Sequence, residues 1–554
     1  MDAEHKTNAV EGVIGYHQRT KHHFHRYARS AGHMDWENQP APFRFYEGAE
    51  AEPLALRSDD PGQGRRDLYQ RRIRPPAPLS RANVAGFLQF SLGLSAWKST
   101  GAARWSLRIN PSSGNLHPTE AHLLLPPEKN LPSGLFHYNP FLHALERRAQ
   151  VPDRLWDDVR RHFQTDVFLV ALTSIFWRES WKYGERAFRY CQHDAGHALA
   201  AAAFSAALFG WRATVLFSQA DDQIERLFGF DRLQWPEEEK EHPDLVFAVH
   251  PEDRPVAALG ISDALVDGFA ALPLAGRPSR LSRSPLRWEV IADVAAQTRK
   301  PATPTAAPEI ESPDFLPDPG TKLAPAAAIR GRRSALDFDP ENTLCREDFF
   351  AILDKTRPRS ETPPFDAGFL EANAHLLIFV HRVDNVDPGL YLFLRDPAQA
   401  DPLRRSLRKD FLWEPTTPGF PLFLLERGDL RQTAMRLSCH QQIAGAGVFS
   451  LGMLVRFEDR LADAAWRYRQ LFMETGMIGQ VLYLEAESRG VRGTGIGCYF
   501  DDAVHQLAGI GGTAYQSLYH FTVGLPVEDP RLQTEPPYFH LDGARGAGKN
   551  RRTP

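Results

Sequence analysis

The sequence predicts an α+β protein in which one domain, with helices packed on a mixed β-sheet, occurs twice in tandem. Three observations support this prediction. Residues 296–328 lack a hydrophobic period, are punctuated by Pro, and divide the 554-residue chain nearly in half. Residues 189–230 align without a gap with residues 469–510 at a shift of 280. Both halves also show the same succession of apolar strands and helices.

The alignment keeps residue types that chance would not place in register. The matched pairs are Arg189 and Arg469, Gly196 and Gly476, Gly210 and Gly490, Asp221 and Asp501, Asp222 and Asp502, and Gly229 and Gly509. The same shift pairs the apolar residues 167–177 with residues 447–457. Because two copies in one chain are the covalent counterpart of a symmetric homodimer, we expect an intramolecular pseudodimer.

Each copy is predicted to contain the same elements in the same order. An opening helix, a strand and a hairpin-like return span residues 80–95, 121–126 and 134–147 in the first copy and 346–356, 374–380 and 389–400 in the second. An apolar strand and a long helix follow, and the helix ends at Gly210 or Gly490. A short strand, a helix opened by an Asp pair that can cap it, and a last apolar strand complete the unit.

Composition excludes several classes of partner. The chain is 42% hydrophobic with a formal net charge of −4, so no excess positive charge favours nucleic acid or an anionic membrane. No apolar stretch has the length of a signal peptide or a membrane span, so we expect a cytoplasmic protein. Cys191, Cys345, Cys439 and Cys498 lie far apart in sequence, which favours buried reduced thiols over disulfides or a thiolate metal site.

Four sequence motifs resemble those of nitroreductase-type flavoproteins, and within them the SagB type of azoline-forming peptide dehydrogenase. The motifs are "INPSSGNLHPTEAHLLL" at residue 109, "ESWKYGERAFRYCQHDAGH" at 179, "IRGRRSALDF" at 329, and "GVRGTGIGCYFDDAVHQLAG" at 490, with "FTVGLPVEDPRL" at 521. The resemblance implies a homodimer-like arrangement that binds FMN at the interface. It also implies that one subunit supplies the Arg-Arg-Ser and Gly-x-Gly segments and the other the Pro-Ser-x-x-Asn segment.

The two copies have lost complementary parts of these motifs. The first keeps Pro111, Ser112, Ser113 and Asn115, where the second has "PFDAG" at 364. The second keeps Arg332, Arg333 and Ser334, and Gly495, Ile496 and Gly497, where the first has "RTK" at 19 and "VLF" at 215. The resemblance therefore predicts one composite FMN site per chain rather than two. It also predicts that Arg531 reaches the FMN phosphate from the carboxyl end.

Lys182 and Tyr183 also survive in one copy, because their counterparts are Ala462 and Asp463. The resemblance implies that this pair acts next to the flavin. Removing hydrogen from carbon needs a base for the proton while the flavin takes a hydride. Lysine can serve only where burial or positive charge lowers its pKa. The alternative is that both residues are surface and packing groups at a helix start.

Other candidate residues favour structural roles. His193 and His197 have the spacing of two zinc ligands on a helix, but no third ligand suggests itself, so no metal is predicted. The Asp pairs at 221 and 501 are interpreted as helix caps rather than catalytic carboxylates. Arg186 and Arg189 are interpreted as scaffold groups.

The predicted domains are residues 1–275 and 329–532, joined by a Pro/Ala-rich region at 276–328 and followed by a tail at 533–554. The predicted function is FMN-dependent oxidation of an azoline or other modified peptide residue, with partners in a biosynthetic complex. The alternatives are an NAD(P)H-dependent nitroreductase or quinone reductase acting on a small molecule, and a flavin-free binding subunit. An insertion near residues 34–66 of the first copy could cover the site, contact a peptide or only pack.

Overall fold

Two β-sheets of seven described strands, one in each half of the chain, form the framework onto which the helices pack. The computed structural model describes residues 3–62, 67–69, 75–129, 131–304, 312–462 and 464–541. Within both sheets, neighbouring strands run antiparallel. The α+β class is therefore confirmed, with antiparallel sheets where mixed ones were expected.

The helices account for most of the long apolar segments that pack on the sheets. In chain order they are α1 (Ala3–Arg19), α2 (Arg81–Ser91), α3 (Asp153–Phe163), α4 (Phe176–Tyr183), α5 (Ala187–Leu208), α6 (Asp221–Phe228), α7 (Asp263–Ala270), α8 (Glu289–Gln297), α9 (Pro325–Gly331), α10 (Arg346–Lys355), α11 (Ala400–Ser406), α12 (Arg431–Leu437), α13 (Ile443–Ala446), α14 (Glu458–Leu461), α15 (Arg467–Ser488) and α16 (Asp501–Ala508). Among the described residues, none of these helices combines the length and the apolar character that crossing a bilayer requires.

The strands alternate with these helices along each half. They are β1 (Tyr46–Glu47), β2 (Glu50–Pro53), β3 (Leu94–Ser99), β4 (Arg104–Arg108), β5 (Thr119–Leu125), β6 (Gly134–Asn139), β7 (Ala144–Gln150), β8 (Phe168–Ser174), β9 (Trp211–Val215), β10 (His242–Pro251), β11 (Arg277–Pro278), β12 (Ala374–Val380), β13 (Gly389–Phe393), β14 (Glu414–Thr417), β15 (Phe420–Arg427), β16 (Phe449–Arg456), β17 (Arg492–Ile496), β18 (Tyr515–Gly524) and β19 (Gln533–Glu535).

The same strand order recurs in the two sheets. The first sheet is ordered β2-β7-β6-β5-β8-β10-β9 and the second β14-β15-β13-β12-β16-β18-β17. Five neighbouring strands of the first sheet, in the order β6-β5-β8-β10-β9, therefore match five of the second sheet, in the order β13-β12-β16-β18-β17. The halves differ at the other edge, because α11 separates β13 from its return strand, whereas β6 and β7 form a direct hairpin.

The helices α5 and α15 cross at the centre of the molecule, where glycine is required. Each helix has 22 residues, and their bounds differ by the repeat shift of 280. A Cβ atom on Gly196 would lie 2.1 Å from the carbonyl oxygen of Met473, and one on Gly476 would lie 2.2 Å from that of His193. The two backbones therefore touch around a pseudo-twofold axis.

The Asp pairs do not cap their helices, and this corrects the expectation from sequence. Arg189 Nη1 donates to Asp501 Oδ1 at 2.9 Å, and Arg469 Nη1 donates to Asp221 Oδ2 at 2.5 Å. Arg186 also donates to Asp501, at 3.1 Å. All of these groups are buried. The matched Arg and Asp residues thus form equivalent ion pairs across the two halves, and Arg186 and Arg189 have the scaffold role expected for them.

The region predicted as a linker, residues 276–328, contains regular structure as well as extended chain. It includes β11, α8 and the start of α9. The side chain of Gln297, at the end of α8, lies against Gly12 in α1. Residues 305–311 lie outside the described part of the chain.

The carboxyl-terminal segment folds back onto the first half as far as residue 541. β19 pairs with β3, and Leu94 N–H donates to Tyr538 Oη at 2.9 Å. Tyr538 and Leu541 also pack with Phe43 in one apolar cluster. Residues 533–541 of the predicted tail are therefore packed on the first half, and its basic end, residues 542–554, lies outside the described residues.

The insertion at 34–66 packs against the first half. β1 pairs with β11, and β2 joins the edge of the first sheet. The Trp36 ring lies 5.4 Å from the Trp181 ring of α4, and Trp181 Nε1 donates to the Asp35 carbonyl at 2.9 Å. This insertion therefore supports the helix that carries Lys182 and Tyr183, and its residues 63–66 lie outside the described part.

Candidate active site

A cavity of about 740 Å³ lies between the two halves, within the size range of small-molecule and cofactor sites. It brings together most of the residues that the sequence singled out. From the first half it is lined by Pro111, Ser112, Ser113, Asn115 and Tyr183, and from the second by Arg332, Arg333, Ser334, Gly495, Ile496 and Gly497. These residues lie up to 386 positions apart in sequence but line one cavity.

The segment from Pro111 to Asn115 forms a tight turn at the cavity wall. Gly114 and Asn115 have φ values of 59° and 60°, in the left-handed region that glycine and asparagine tolerate best. Ser112 Oγ accepts from His117 N–H at 2.8 Å, and Asn115 Nδ2 donates to the Ser106 carbonyl at 2.9 Å. The polar side chains of this motif therefore also hold its own turn.

Arg332 and Arg333 are fixed by backbone carbonyls of the first half. Arg332 Nε donates to the Ile109 carbonyl at 3.0 Å, and its Nη2 donates to that of Arg108 at 2.9 Å. Arg333 Nη2 donates to the Ser95 carbonyl at 2.9 Å. Burial lowers the pKa of Arg333 to about 10. No carboxylate of the described part of the chain forms an ion pair with either guanidinium, and Glu487 acts on both from a longer distance.

Two glycines let tyrosine side chains approach the cavity. A Cβ atom on Gly495 would lie 2.0 Å from Tyr519 Oη, and one on Gly497 would lie 2.3 Å from the Tyr190 ring. Tyr483 Oη accepts from Gly495 N–H at 2.8 Å and lies 2.9 Å from Ser334 Oγ. These glycines are needed for close packing as well as for access to their backbone.

Sequence reasoning missed the three tyrosines and Asp194, all of which line the cavity. A signal was present in the repeat alignment, because Tyr483 corresponds to Ala203 at the shift of 280. A tyrosine gained in the half that keeps the Gly-x-Gly segment is the same kind of asymmetry that identified the other residues. Arg492 also lines the cavity, and the repeat alignment carries no signal for it, because its mate Arg212 is also an arginine.

Lys182 and Tyr183 lie against the same turn. A Cβ atom on Gly114 would be 2.5 Å from Tyr183 Oη and 3.2 Å from Lys182 Nζ. Lys182 Nζ is 5.3 Å from the centre of the Tyr183 ring. Burial raises the pKa of Tyr183 well above its usual value, so its phenol keeps its proton. Lys182 is exposed, which is not the buried environment that a base role requires.

Two cysteines that are distant in sequence meet beside the cavity, and both are only partly buried where buried reduced thiols were expected. The hydrogen bond between the thiols of Cys439 and Cys498 lowers the pKa of Cys498. Cys498 lines the cavity. Gln441 Nε2 donates to the Cys498 carbonyl at 3.1 Å, which holds the two segments side by side. Cys191 is buried, as expected, whereas Cys345, Cys439 and Cys498 are only partly buried.

Arg531 is not brought to the cavity, contrary to its predicted role. Its side chain is 85% exposed and pairs with Asp529, with Nη2 to Oδ2 at 2.7 Å. An Asx-type turn at Asp529, which accepts from the Arg531 N–H at 3.0 Å, directs the guanidinium back along its own loop.

The two histidines spaced as zinc ligands are packing groups. His197 Nδ1 lies 3.3 Å from Gln480 Oε1, and its Nε2 lies 3.2 Å from Tyr519 Oη. The His193 ring stacks on the Tyr519 ring at 4.3 Å. Within the described residues, no group of three or more His, Cys, Asp and Glu side chains could hold a metal ion.

The mate of the cavity at the other interface has a different lining. This second cavity, of about 1240 Å³, is bordered by Phe217, where the first has Gly497, and by residues 366–369. The Phe217 ring lies 2.3 Å from where a Cβ of Gly368 would be. Arg19 and Lys21, from the "RTK" segment, pair instead with Glu185 and Asp502.

Comparison with known proteins shows which family model and which solved structures this chain resembles. A model of the nitroreductase family matches residues 329–525. A crystal structure of a candidate nitroreductase from Anabaena variabilis is 22% identical with a TM-score of 0.66, covering 93% of this chain and 99% of that chain. No curated protein sequence matches.

Two further solved structures match smaller parts of the chain. A candidate nitroreductase from Ralstonia eutropha is 16% identical with a TM-score of 0.26, covering 40% of this chain and 89% of its own. A chain of the Escherichia coli microcin synthetase McbBCD complex with truncated pro-MccB17 bound is 19% identical with a TM-score of 0.26, covering 44% of this chain and 93% of its own. The family model thus matches the second half of the chain, and the structural match over 93% of the chain shows that the chain has a nitroreductase-like fold.

Proposed function

We propose that this chain is an FMN-dependent dehydrogenase of the SagB type, which moves hydride from an azoline or other modified peptide residue to the flavin. The observation that carries the proposal is the single cavity in which Ser112, Ser113 and Asn115 of one half meet Arg332 and Ser334 of the other. Lys182 and Tyr183 lie against the turn at its wall.

The cavity suits FMN in charge and in polar groups. Arg332 and Arg333 supply positive charge for a phosphate, and Ser334 supplies a neutral hydroxyl donor. Gly495 and Gly497 suit the close approach of a backbone to the cofactor. The buried Asn110 Oδ1, which also lines the cavity, has no hydrogen-bond partner among the described residues and is suited to a polar edge of a ligand.

The residues proposed to hold FMN are therefore Pro111, Ser112, Ser113, Asn115, Arg332, Arg333, Ser334, Gly495, Ile496 and Gly497. Bound FMN would accept a hydride from the substrate. Tyr183, with its raised pKa, can donate or relay a proton beside the turn. A substrate that covers the exposed Lys182 would create the buried environment that its role in proton transfer requires.

The proposal is tested with the full-length protein, excess FMN and a synthetic peptide that contains a thiazoline or oxazoline ring. We expect a flavoprotein that converts the ring to the aromatic azole, seen by mass spectrometry as the loss of two hydrogen atoms. Lys182→Ala and Tyr183→Phe should keep the flavin and lose about 100-fold or more in rate. Lys409→Ala, which changes an exposed lysine of the second half, should not affect the rate.

Two outcomes would replace this proposal. Rapid bleaching of the flavin by NADH or NADPH, with reduction of a nitroaromatic and no peptide oxidation, would favour a nitroreductase. A colourless protein that does not take up excess FMN would favour a flavin-free binding subunit.

A further inference from the structure

Two buried carboxyl side chains lie behind the Pro111–Asn115 turn, and the reaction proposed above does not use them. Glu179 on α4 is 0% exposed, and Asp194 on α5 is 1% exposed and lines the cavity. Asp194 accepts from Ser113 N–H at 3.1 Å and from Ser113 Oγ at 3.1 Å. Neither carboxyl oxygen of Glu179 has a partner with hydrogen-bond geometry in the described part of the chain.

Among the residues that the structure describes, no buried cation neutralises this pair. The hydrogen bonds to Asp194 come from neutral donors, and a carboxylate buried without a counter-charge is costly. The charged and titratable groups that face the two carboxyls are Lys182 and Tyr183 on α4, Cys191 on α5, Asp244 on β10 and Tyr519 on β18. Among these, Lys182 is the cation, and it is exposed.

The environment therefore favours the protonated, uncharged form of both carboxyl groups. Burial raises the pKa of Asp194 to about 7, and it raises the pKa of Glu179 well above its usual value, with the nearby Asp194 adding to the effect. The Ser112 hydroxyl opposes both shifts in part. Asp194 thus titrates in the range where a proton acceptor is useful, while Glu179 keeps its proton.

The repeat mates of the two residues are compensated. Glu474, the mate of Asp194, forms a buried ion pair with Arg395 and accepts from the Asn373 N–H at 3.1 Å. Asp459, the mate of Glu179, is exposed and pairs with Arg456. The buried carboxyl groups without a counter-charge are thus found beside the cavity that keeps the predicted site residues. Their repeat mates, Asp459 and Glu474, each have an arginine partner. A scaffold requirement of the fold would have produced the same arrangement twice.

We propose that Glu179 and Asp194 form a proton-binding carboxyl pair, with Asp194 on the cavity wall and Glu179 behind it, which receives the proton that leaves the substrate during the oxidation. This rests on the proposed function. Bound FMN would take the hydride of the substrate, while the substrate's proton goes to Tyr183, which passes its own proton to the Asp194 carboxylate. The neutral Asp194 then releases that proton to solvent, so atoms and charge balance. Glu179 acts as a positioning residue that stays neutral behind Asp194.

Infrared difference spectroscopy of the full-length protein tests the pair without any turnover. The C=O stretch of a protonated carboxyl group should disappear as pH rises through about 7, and Asp194→Asn should remove that change. Glu179→Gln should remove a second C=O band that persists above that pH. Because the pKa of the buried Asp244 is raised to about 6, the assignment depends on the variants and not on the midpoint alone. Asp459→Asn, the exposed mate of Glu179, is the matched control and should change neither band.

Turnover then tests the role. With FMN and the azoline peptide, the oxidation rate of the wild type should rise as pH increases through about 7. The rate of Asp194→Asn should be about 100-fold lower and should not show that pH dependence. If both bands are found but no peptide is oxidised, the proposed function fails and the proton-binding pair stands. If the peptide is oxidised and neither band responds to the variants, the pair is wrong and the proposed function stands. Oxidation by Asp194→Asn with an unchanged rate and pH profile would also overturn the pair's role.

Discussion

Arg189 in the first half of the chain pairs with Asp501 in the second, at 2.9 Å between Nη1 and Oδ1, and both side chains are buried. Arg186 shares the same carboxylate at 3.1 Å. The pKa of Asp501, although burial opposes ionisation, is held well below its usual range by the two guanidiniums. At the interface between the halves, the buried carboxylate of Asp501 and the guanidiniums of Arg186 and Arg189 therefore compensate one another's charge.

Replacing Asp501 with Asn should destabilise the protein by about 3–5 kcal/mol, because it leaves two guanidiniums buried without a counter-charge. Denaturant unfolding measures this change. Asp459→Asn, which removes an exposed ion pair with Arg456, is the control and should cost at most about 1 kcal/mol. Equal effects of the two substitutions would show that the buried network does not hold the halves together.

Gly196→Ala should destabilise the crossing of α5 and α15 by about 1–3 kcal/mol or more, because the new methyl group would meet a backbone carbonyl and not a movable side chain. Thermal unfolding checks this. Gly15→Ala in α1 is the matched helical control: outside its own helix backbone, no atom of the described residues lies within 4 Å of its Cβ position, so it should be neutral or stabilising by up to about 1 kcal/mol. Tolerance of Gly196→Ala at wild-type stability would contradict the close backbone contact.

One FMN per chain is expected, because the second cavity has Phe217 in place of Gly497 and lacks the Arg332–Ser334 segment. Flavin released by denaturation, measured against protein concentration, gives the ratio. Arg332→Ala should lower flavin affinity by about ten-fold or more, as expected for a charge-assisted contact. Arg212→Ala, at the second cavity, should leave flavin content unchanged. Two flavins per chain would overturn the asymmetry.

Stability should depend on pH through Asp194. A carboxyl group with a folded-state pKa of about 7, raised from 3.8, destabilises the fold as pH rises above its unfolded value, and the cost is complete above about 7. Asp194→Asn removes that cost. The variant should therefore be more stable than wild type at pH 8, by an amount on the order of 4 kcal/mol at most, and by less than half of that amount at pH 5, which is closer to the unfolded-state pKa of 3.8. Urea unfolding at the two pH values measures the difference, and a pH-independent effect would contradict it.

Sequence patterns predicted the elements that depend on local periodicity and on comparison of the two halves. α2 and α10, β5 and β12, and the two long helices lie where the apolar patterns and stop signals indicated. The complementary losses, such as "PFDAG" for "PSSGN", identified residues that the fold brings to one cavity. The predictions of these helices and strands succeeded because a repeat supplies its own internal reference.

The tertiary structure decided which distant side chains meet, and no local pattern reports that. Sequence alone predicted the α+β fold, the repeat and the residues of a composite site. Folding determined that Asp501 pairs with Arg189 instead of capping a helix, that Arg531 turns away to Asp529, and that Cys439 contacts Cys498. It also placed Glu179 and Asp194 together without a cation, because burial and neighbouring charge are properties of the packed molecule and not of the chain.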